Sequence, residues 1–130
     1  MKYQVVFLPF TERHYIKSFA KKYQGTWSKT LKALTIEFTF VQFLFEKNIA
    51  EIICASADNG VKICKTEFKI LGTRVSRHGS GCRCVIAIHE SAKLVNVLLV
   101  YSKGDVGGKK ETAWWKNLVK DTYSEYRDIL

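Results

Sequence analysis

Cys82-Arg83-Cys84-Val85-Ile86-Ala87-Ile88-His89, the turn Glu90 to Lys93, and Leu94-Val95-Asn96-Val97-Leu98-Leu99-Val100-Tyr101 form the part of the chain that decides the fold. Both runs are dense in β-branched and aliphatic residues and are bounded by polar turns, which is the signature of strands. So short a link lets neighbouring strands pair only antiparallel. Cys82 and Cys84, two residues apart, point to one face of their strand, where packing is their expected role.

Working outward, the same period of two extends upstream over Lys62 to Arg74, a further expected strand joined to Arg83 to His89 through the turn Ser76 to Gly81. Ala55 to Gly60 is small and polar and marks the turn at which this sheet half begins. Before it the period is helical. Leu31, Leu34, Phe38, Val41 and Phe45 form one apolar stripe running to about Lys47, opened by Thr26 or Ser28. Tyr15, Ile16, Phe19, Ala20 and Tyr23 form an earlier one, capped by Thr11 and ended by Gln24-Gly25. Tyr3 to Leu8, stopped by Pro9, reads as a short first strand. Beyond the flexible Gly104 to Gly108 loop, Lys109 to about Tyr126 closes the chain as a helix carrying Ala113, Trp114, Leu118 and Tyr123. The order β-α-α-β-β-β-α predicts one α+β domain, an antiparallel sheet packed against an N-terminal helical pair with a C-terminal helix.

With 130 residues, 47% of them hydrophobic, the chain has enough apolar material for one core. Its 21 Lys and Arg against 12 Asp and Glu give a net charge of +9, a surplus that favours polyanionic partners through phosphate attraction and counterion release. The four cysteines lack paired Cys-x-x-Cys spacing, so no metal is expected. Val5 to Pro9 is too short for a secretory leader, and the apolar run Phe38 to Phe45 is too short for a membrane span; reduced thiols, a cytoplasmic location and no membrane partner follow as expectations.

The basic residues concentrate in the sheet half: Lys62, Lys65, Lys69, Arg74, Arg77 and Arg83 stand against the single acid Glu67 between positions 62 and 83. Arg83 is the most informative, because a guanidinium among Cys82, Cys84, Val85 and Ile86 must meet an anion or water. Either it serves a bound phosphate, or it forms an internal ion pair with an acid such as Glu67 or Glu111. Lys103, Lys109 and Lys110 flank a glycine-containing loop that would let a phosphate approach, although Gly104-x-x-Gly107-Gly108-Lys109 is no nucleotide-hydrolysing phosphate loop and no cofactor is expected. Among the histidines, His78 in the Arg77-His78-Gly79 turn is best placed to move protons. No Ser-His-Asp set or paired carboxylates emerge from spacing.

Ser80-Gly81-Cys82-Arg83-Cys84-Val85-Ile86-Ala87-Ile88, the strand Leu94 to Tyr101 and the following Ser102-Lys103-Gly104-Asp105 resemble the toxins of the RelE/ParE superfamily. Those proteins carry a Gly-aromatic-Arg-apolar strand, a hydrophobic strand and a basic loop leading to a last helix. The likeness covers roughly residues 62 to 116, with the first strand and two helices matched in order. It implies a RelE-like fold and a type II toxin-antitoxin module with an acidic cognate antitoxin: the RelE-like branch is a ribosome-dependent mRNA endoribonuclease, with ribosome and mRNA as further partners, whereas the ParE-like branch inhibits DNA gyrase. Arg83 matches the strand arginine that helps hold the scissile phosphate, and Lys69 aligns with a basic catalytic lysine. A second lysine is replaced by Leu71, with Arg74 or Arg77 as substitutes; Cys82 replaces the aromatic; the late tyrosine corresponds to Tyr101 or Tyr123.

Since RNA supplies its own 2′-hydroxyl nucleophile, such a site needs only orientation, a proton acceptor, charge stabilisation and leaving-group protonation. Lys69 or His78 is the candidate acceptor, Arg83 and Arg74 the candidate phosphate ligands, and Arg77 or Lys103 the candidate helper of the departing 5′ oxygen. Lys65, Lys103, Lys109 and Lys110 are the candidate RNA-binding residues. The competing readings are a non-nucleolytic gyrase inhibitor of the ParE branch and a non-catalytic RNA-binding module.

Overall fold

The computed structural model describes residues 2–130. The two apolar runs form β4 (Cys82–His89) and β5 (Leu94–Ser102), paired antiparallel from Cys82↔Ser102 to His89↔Leu94. Nearly every residue in both is buried on either face, which is why they read as continuous apolar runs rather than as an alternation. β3 (Val61–Phe68) pairs antiparallel with β4, and β2 (Ala50–Ala55) pairs antiparallel with β3 at one edge. β1 (Gln4–Phe7) lies parallel to β5 at the other edge, giving the order β1-β5-β4-β3-β2.

The sheet is therefore mixed and five-stranded, whereas the sequence predicts four strands and an antiparallel sheet. β2 falls just beyond the expected end of the second helix, and its short Ala-Glu-Ile-Ile-Cys-Ala run carries a bulge between Ile52 and Cys54 that breaks the alternation. The strand expected over Lys62 to Arg74 stops at Phe68. From there the chain turns away, pinned by the buried Ile70 and by Leu71 N–H donating to Thr30 Oγ1 at 3.0 Å.

Helices cover both faces of the sheet. The first helical segment begins at Pro9 rather than Thr11, with α1 (Pro9–Thr11), a π-helical stretch Glu12–Ile16 and α2 (Lys17–Lys22) running on without a break. Pro9 suits a first helical turn, where its missing N–H costs nothing. Thr11 is buried and accepts a hydrogen bond from Val100 N–H at 3.0 Å, tying the helix to β5 instead of capping it. α3 (Trp27–Thr39) ends before the predicted Lys47, and a short α4 (Gln42–Glu46) follows. Ile16, Phe19, Trp27, Leu34, Phe38, Val41 and Leu44 pack against Cys64, Phe68, Cys82, Cys84, Ile86 and Ile88. Cys82 and Cys84 do share one face, and burial pushes both thiols up.

On the opposite face, α5 (Glu111–Thr122) buries Trp115 and Val119 with Tyr123 and Tyr126 against Ile63, Val85, Ala87, Leu99 and Tyr101. A bulge in β5 places Leu98 beside Leu99 on this face as well. Tyr123 donates to Leu98 C=O at 2.8 Å, and the Tyr126 hydroxyl meets both His89 Nε2 and Asn96 Nδ2 at 2.8 Å, so the polar ends of these aromatic rings are satisfied inside the core. Together this is one α+β domain of three layers. Among the described residues no helix is long and apolar enough to cross a membrane.

Candidate functional site

Register decides which charged groups meet. Glu67 on β3 stands opposite Arg83 on β4, which stands opposite Tyr101 on β5, and all three side chains project to the α5 face. Lys65, two residues before Glu67, shares that face. Glu111 enters from the first turn of α5 and completes the cluster.

Arg83 is its centre. It is 2% exposed, and its guanidinium lies 3.7 Å from the Glu67 carboxylate through Nη1 and 3.8 Å from the Glu111 carboxylate through Nε. It also donates to Cys82 C=O at 3.1 Å and to His78 C=O at 3.4 Å. The ion pair that the sequence offers as the alternative to a phosphate contact is thus present, with both of the acids named. So buried a cation, already faced by two carboxylates, positions its neighbours rather than presenting an open phosphate ligand.

Outward from Arg83 the cluster becomes accessible. Glu67 contacts His78 Nδ1 at 3.0 Å through both oxygens, while the His78 ring is 82% exposed. With Nδ1 protonated, the imidazole donates to Glu67 and keeps Nε2 as an acceptor. Glu111 accepts a 2.7 Å hydrogen bond from the Tyr101 hydroxyl and lies 3.6 Å from Lys65 Nζ. Partial burial alone would raise the Glu111 pKa; the Tyr101 hydrogen bond and the Lys65, Arg83 and Lys103 charges together outweigh it and hold this carboxyl below its ordinary value. Burial first, and donation to Glu111 second, push the Tyr101 phenol far up, so it remains a protonated donor at neutral pH.

The loop over residues 69–81 carries His78 and is internally latched. The Ser80 hydroxyl shares its one proton between Phe68 C=O and Arg77 C=O and accepts from Cys82 N–H at 3.0 Å, closing the base of the loop on itself. Gly81, at a φ of +74°, makes the return into β4 and accepts Lys103 N–H at 2.9 Å, which brings the chain after β5 alongside. Beside His78 opens a cavity of about 310 Å³ lined by Asn48, Ile49, Ala50, Glu51, Lys65, Thr66, Glu67 and Arg77. A more open groove lined by Lys65, Lys110, Glu111, Thr112, Ala113 and Lys116 adjoins the other side of Lys65.

The sequence-derived candidates divide accordingly. His78, Arg83 and Lys65 meet in the cluster, Arg77 lines the same cavity, and Lys110 lines the adjoining groove. Arg77 itself is clamped by Glu37, at 3.3 Å and 2.8 Å through Nη1 and Nη2. Lys69 is exposed beyond the end of β3 and borders a small depression with Thr30 and Glu37 on the α3 face, away from Arg83. Arg74 is exposed in the loop, and Lys103 and Lys109 are exposed around the turn Lys103–Val106. Lys62 pairs with Glu90 at 3.7 Å at the opposite end of β3. Glu51, Asn48 and Lys116 belong to no motif or basic run that the sequence marks. Glu51 lies on β2, a strand the sequence does not predict, whose pairing sets it opposite Lys65.

Set beside known proteins, the chain matches no family model, no curated protein and no solved structure.

Proposed function

We propose that this domain is an endoribonuclease that cleaves RNA through the RNA's own 2′-hydroxyl, with His78 and Glu67 as its proton-transfer pair. The observation that carries the reading is an exposed imidazole whose Nδ1 is held 3.0 Å from a carboxylate, at the rim of a cavity that it shares with Lys65. Glu67 orients the ring, and Nε2 takes the 2′ proton as the 2′ oxygen attacks phosphorus. Lys65 stabilises the phosphorane charge and supplies a proton to the departing 5′ oxygen as the P–O5′ bond breaks, leaving a 2′,3′-cyclic phosphate and a 5′-hydroxyl. Arg83 and Tyr101 are positioning residues: they fix Glu67 and Glu111 from beneath. The surplus of cations, with Lys110 and Lys116 in the adjoining groove, provides a track for the backbone of a single strand.

The resemblance over roughly residues 62–116 supplies the biological setting: a RelE-like toxin acting on mRNA at the ribosome in the cytoplasm and silenced by an acidic antitoxin. Lys69 and Arg74, which that resemblance would bring to the phosphate, stand outside the cluster, so the proposed chemistry rests on Lys65, Glu67 and His78 instead. Brief induction in cells followed by transcript-end mapping, with and without translating ribosomes in a purified system, tests both parts. His78→Ala and Glu67→Gln are expected to reduce cleavage by roughly 10²- to 10⁴-fold, the range of a lost acid-base group. Cleavage by His78→Ala at the wild-type rate would overturn the assignment, and DNA damage with intact transcripts would favour gyrase inhibition.

A further inference from the structure

Resting on the nuclease reading, we infer that the cavity beside His78 is a nucleobase pocket selective for guanine, with Glu51 and Arg77 as its specificity-determining residues. Two independent features of the cavity wall lead there. Glu51 stands opposite Lys65 in the β2–β3 ladder, the usual place for a cross-strand ion pair, yet Lys65 reaches across the sheet to Glu111 at 3.6 Å. The Glu51 carboxylate is left exposed on the cavity wall with no hydrogen bond or ion pair among the described residues. Arg77, on the same cavity, gives one hydrogen of Nη1 and one of Nη2 to Glu37 in a bidentate clamp; its Nε–H is buried with no partner among the described residues, so the donors it has left for a ligand are the second hydrogens of Nη1 and Nη2. The cavity thus joins a group that only accepts hydrogen bonds to a held guanidinium with donor capacity to spare.

Guanine alone among the four RNA bases asks for both. Its Watson–Crick edge offers two adjacent donors, N1–H and N2–H, to a carboxylate, while O6 and N7 are the acceptors that arginine reads. Adenine and cytosine each put a ring-nitrogen acceptor where the carboxylate would need a donor, and uracil flanks its single N–H with two carbonyls that a carboxylate repels. Asn48 adds an amide to the wall and Ile49 an apolar surface for the base plane. Because the proposed proton acceptor borders the same cavity, the nucleotide whose base is read would be the one whose 2′-hydroxyl attacks, and cleavage would fall on the 3′ side of guanosine.

The test titrates the full chain with the four 3′-nucleoside monophosphates, following backbone amide shifts by NMR, and maps cut sites on a mixed-sequence RNA. Wild-type protein is expected to bind 3′-GMP roughly 10- to 100-fold more tightly than the other three, the range of one lost bidentate base contact, with shifts at residues 48–51. Glu51→Gln, an isosteric change at an exposed position, should bring 3′-GMP down to the level of the others. Equal affinity for all four nucleotides, or undiminished 3′-GMP selectivity in Glu51→Gln, would overturn the inference. The two readings fail separately: cleavage without a guanosine preference removes the pocket assignment and leaves the nuclease, whereas selective 3′-GMP binding without cleavage removes the nuclease and leaves the pocket.

Discussion

Replacing Arg83 by Met keeps most of the side-chain volume and removes only the guanidinium, so its effect isolates the charge at the centre of the cluster. Glu67 and Glu111 would then face one another across the site without the cation that separates them. Breaking a fully buried pair by deleting one partner costs about 3–5 kcal/mol. Here the two acids are 28% and 21% exposed and keep His78 and Lys65 beside them, so solvent and neighbours reduce the cost to about 2–3 kcal/mol. Unfolding entropy for a chain of this length is about 0.27 kcal/mol/K, which converts that cost into a fall of about 7–11 °C in Tm. Thermal unfolding by circular dichroism at neutral pH and again near pH 4 is the assay. Because the damage comes from uncompensated carboxylates, it should shrink as they protonate, and Glu67→Gln added to Arg83→Met should recover part of the lost stability. A Tm within about 2 °C of wild type at neutral pH, or a loss equal at both pH values, would refute the reasoning.

Glu111, whose pKa is held below its ordinary value, contributes stability that is present above the unfolded carboxylate pKa near 4.3 and is lost as pH falls through its lowered folded value; Glu111→Gln should therefore flatten the acid limb of a urea-derived stability curve below about pH 4.5. Lys110→Ala and Lys116→Ala, both in the open groove, should weaken single-stranded RNA binding for all sequences alike and lower the slope of log K against log salt by about 0.7 each, measured by fluorescence anisotropy. Ser80→Ala removes the latch at the base of the His78 loop, one donated proton shared by two carbonyls and one accepted N–H, at a cost of about 1–3 kcal/mol, and should speed amide exchange at Gly79 and Cys82 more than in β5.

β4 and β5 were legible in the sequence because burial on both faces leaves almost no polar residue in them, and α5 was legible as a helix but not in its facing: of the expected stripe Ala113, Trp114, Leu118 and Tyr123, Ala113 is exposed, Trp114 and Leu118 are only partly buried, and Trp115 and Val119 fill the core instead. Less accessible were the elements whose conformation depends on distant partners. β2 takes its strand form from the β3 edge, β1 runs parallel to β5 through a pairing more than eighty residues away in sequence, and Lys69 to Arg74, expected to continue β3, is pulled out of the sheet by the contacts of Ile70 and Leu71.

The cluster was half legible for the same reason. Lys65 and Glu67 share strand parity, and Arg83 had to find an anion; both statements need only local geometry. That Glu67 is the acid opposite Arg83, and that Tyr101 follows in the same row, requires the register of two hairpins. His78 depends on more still, because its loop position is fixed by Ser80, Gly81 and a carbonyl contact to Arg83 rather than by any periodicity. Arg83 therefore links the two levels. One guanidinium gathers carboxylates from a strand and a helix and also holds the backbone of the residue proposed to move the proton, so a fault at this buried position would reach stability and proton transfer together.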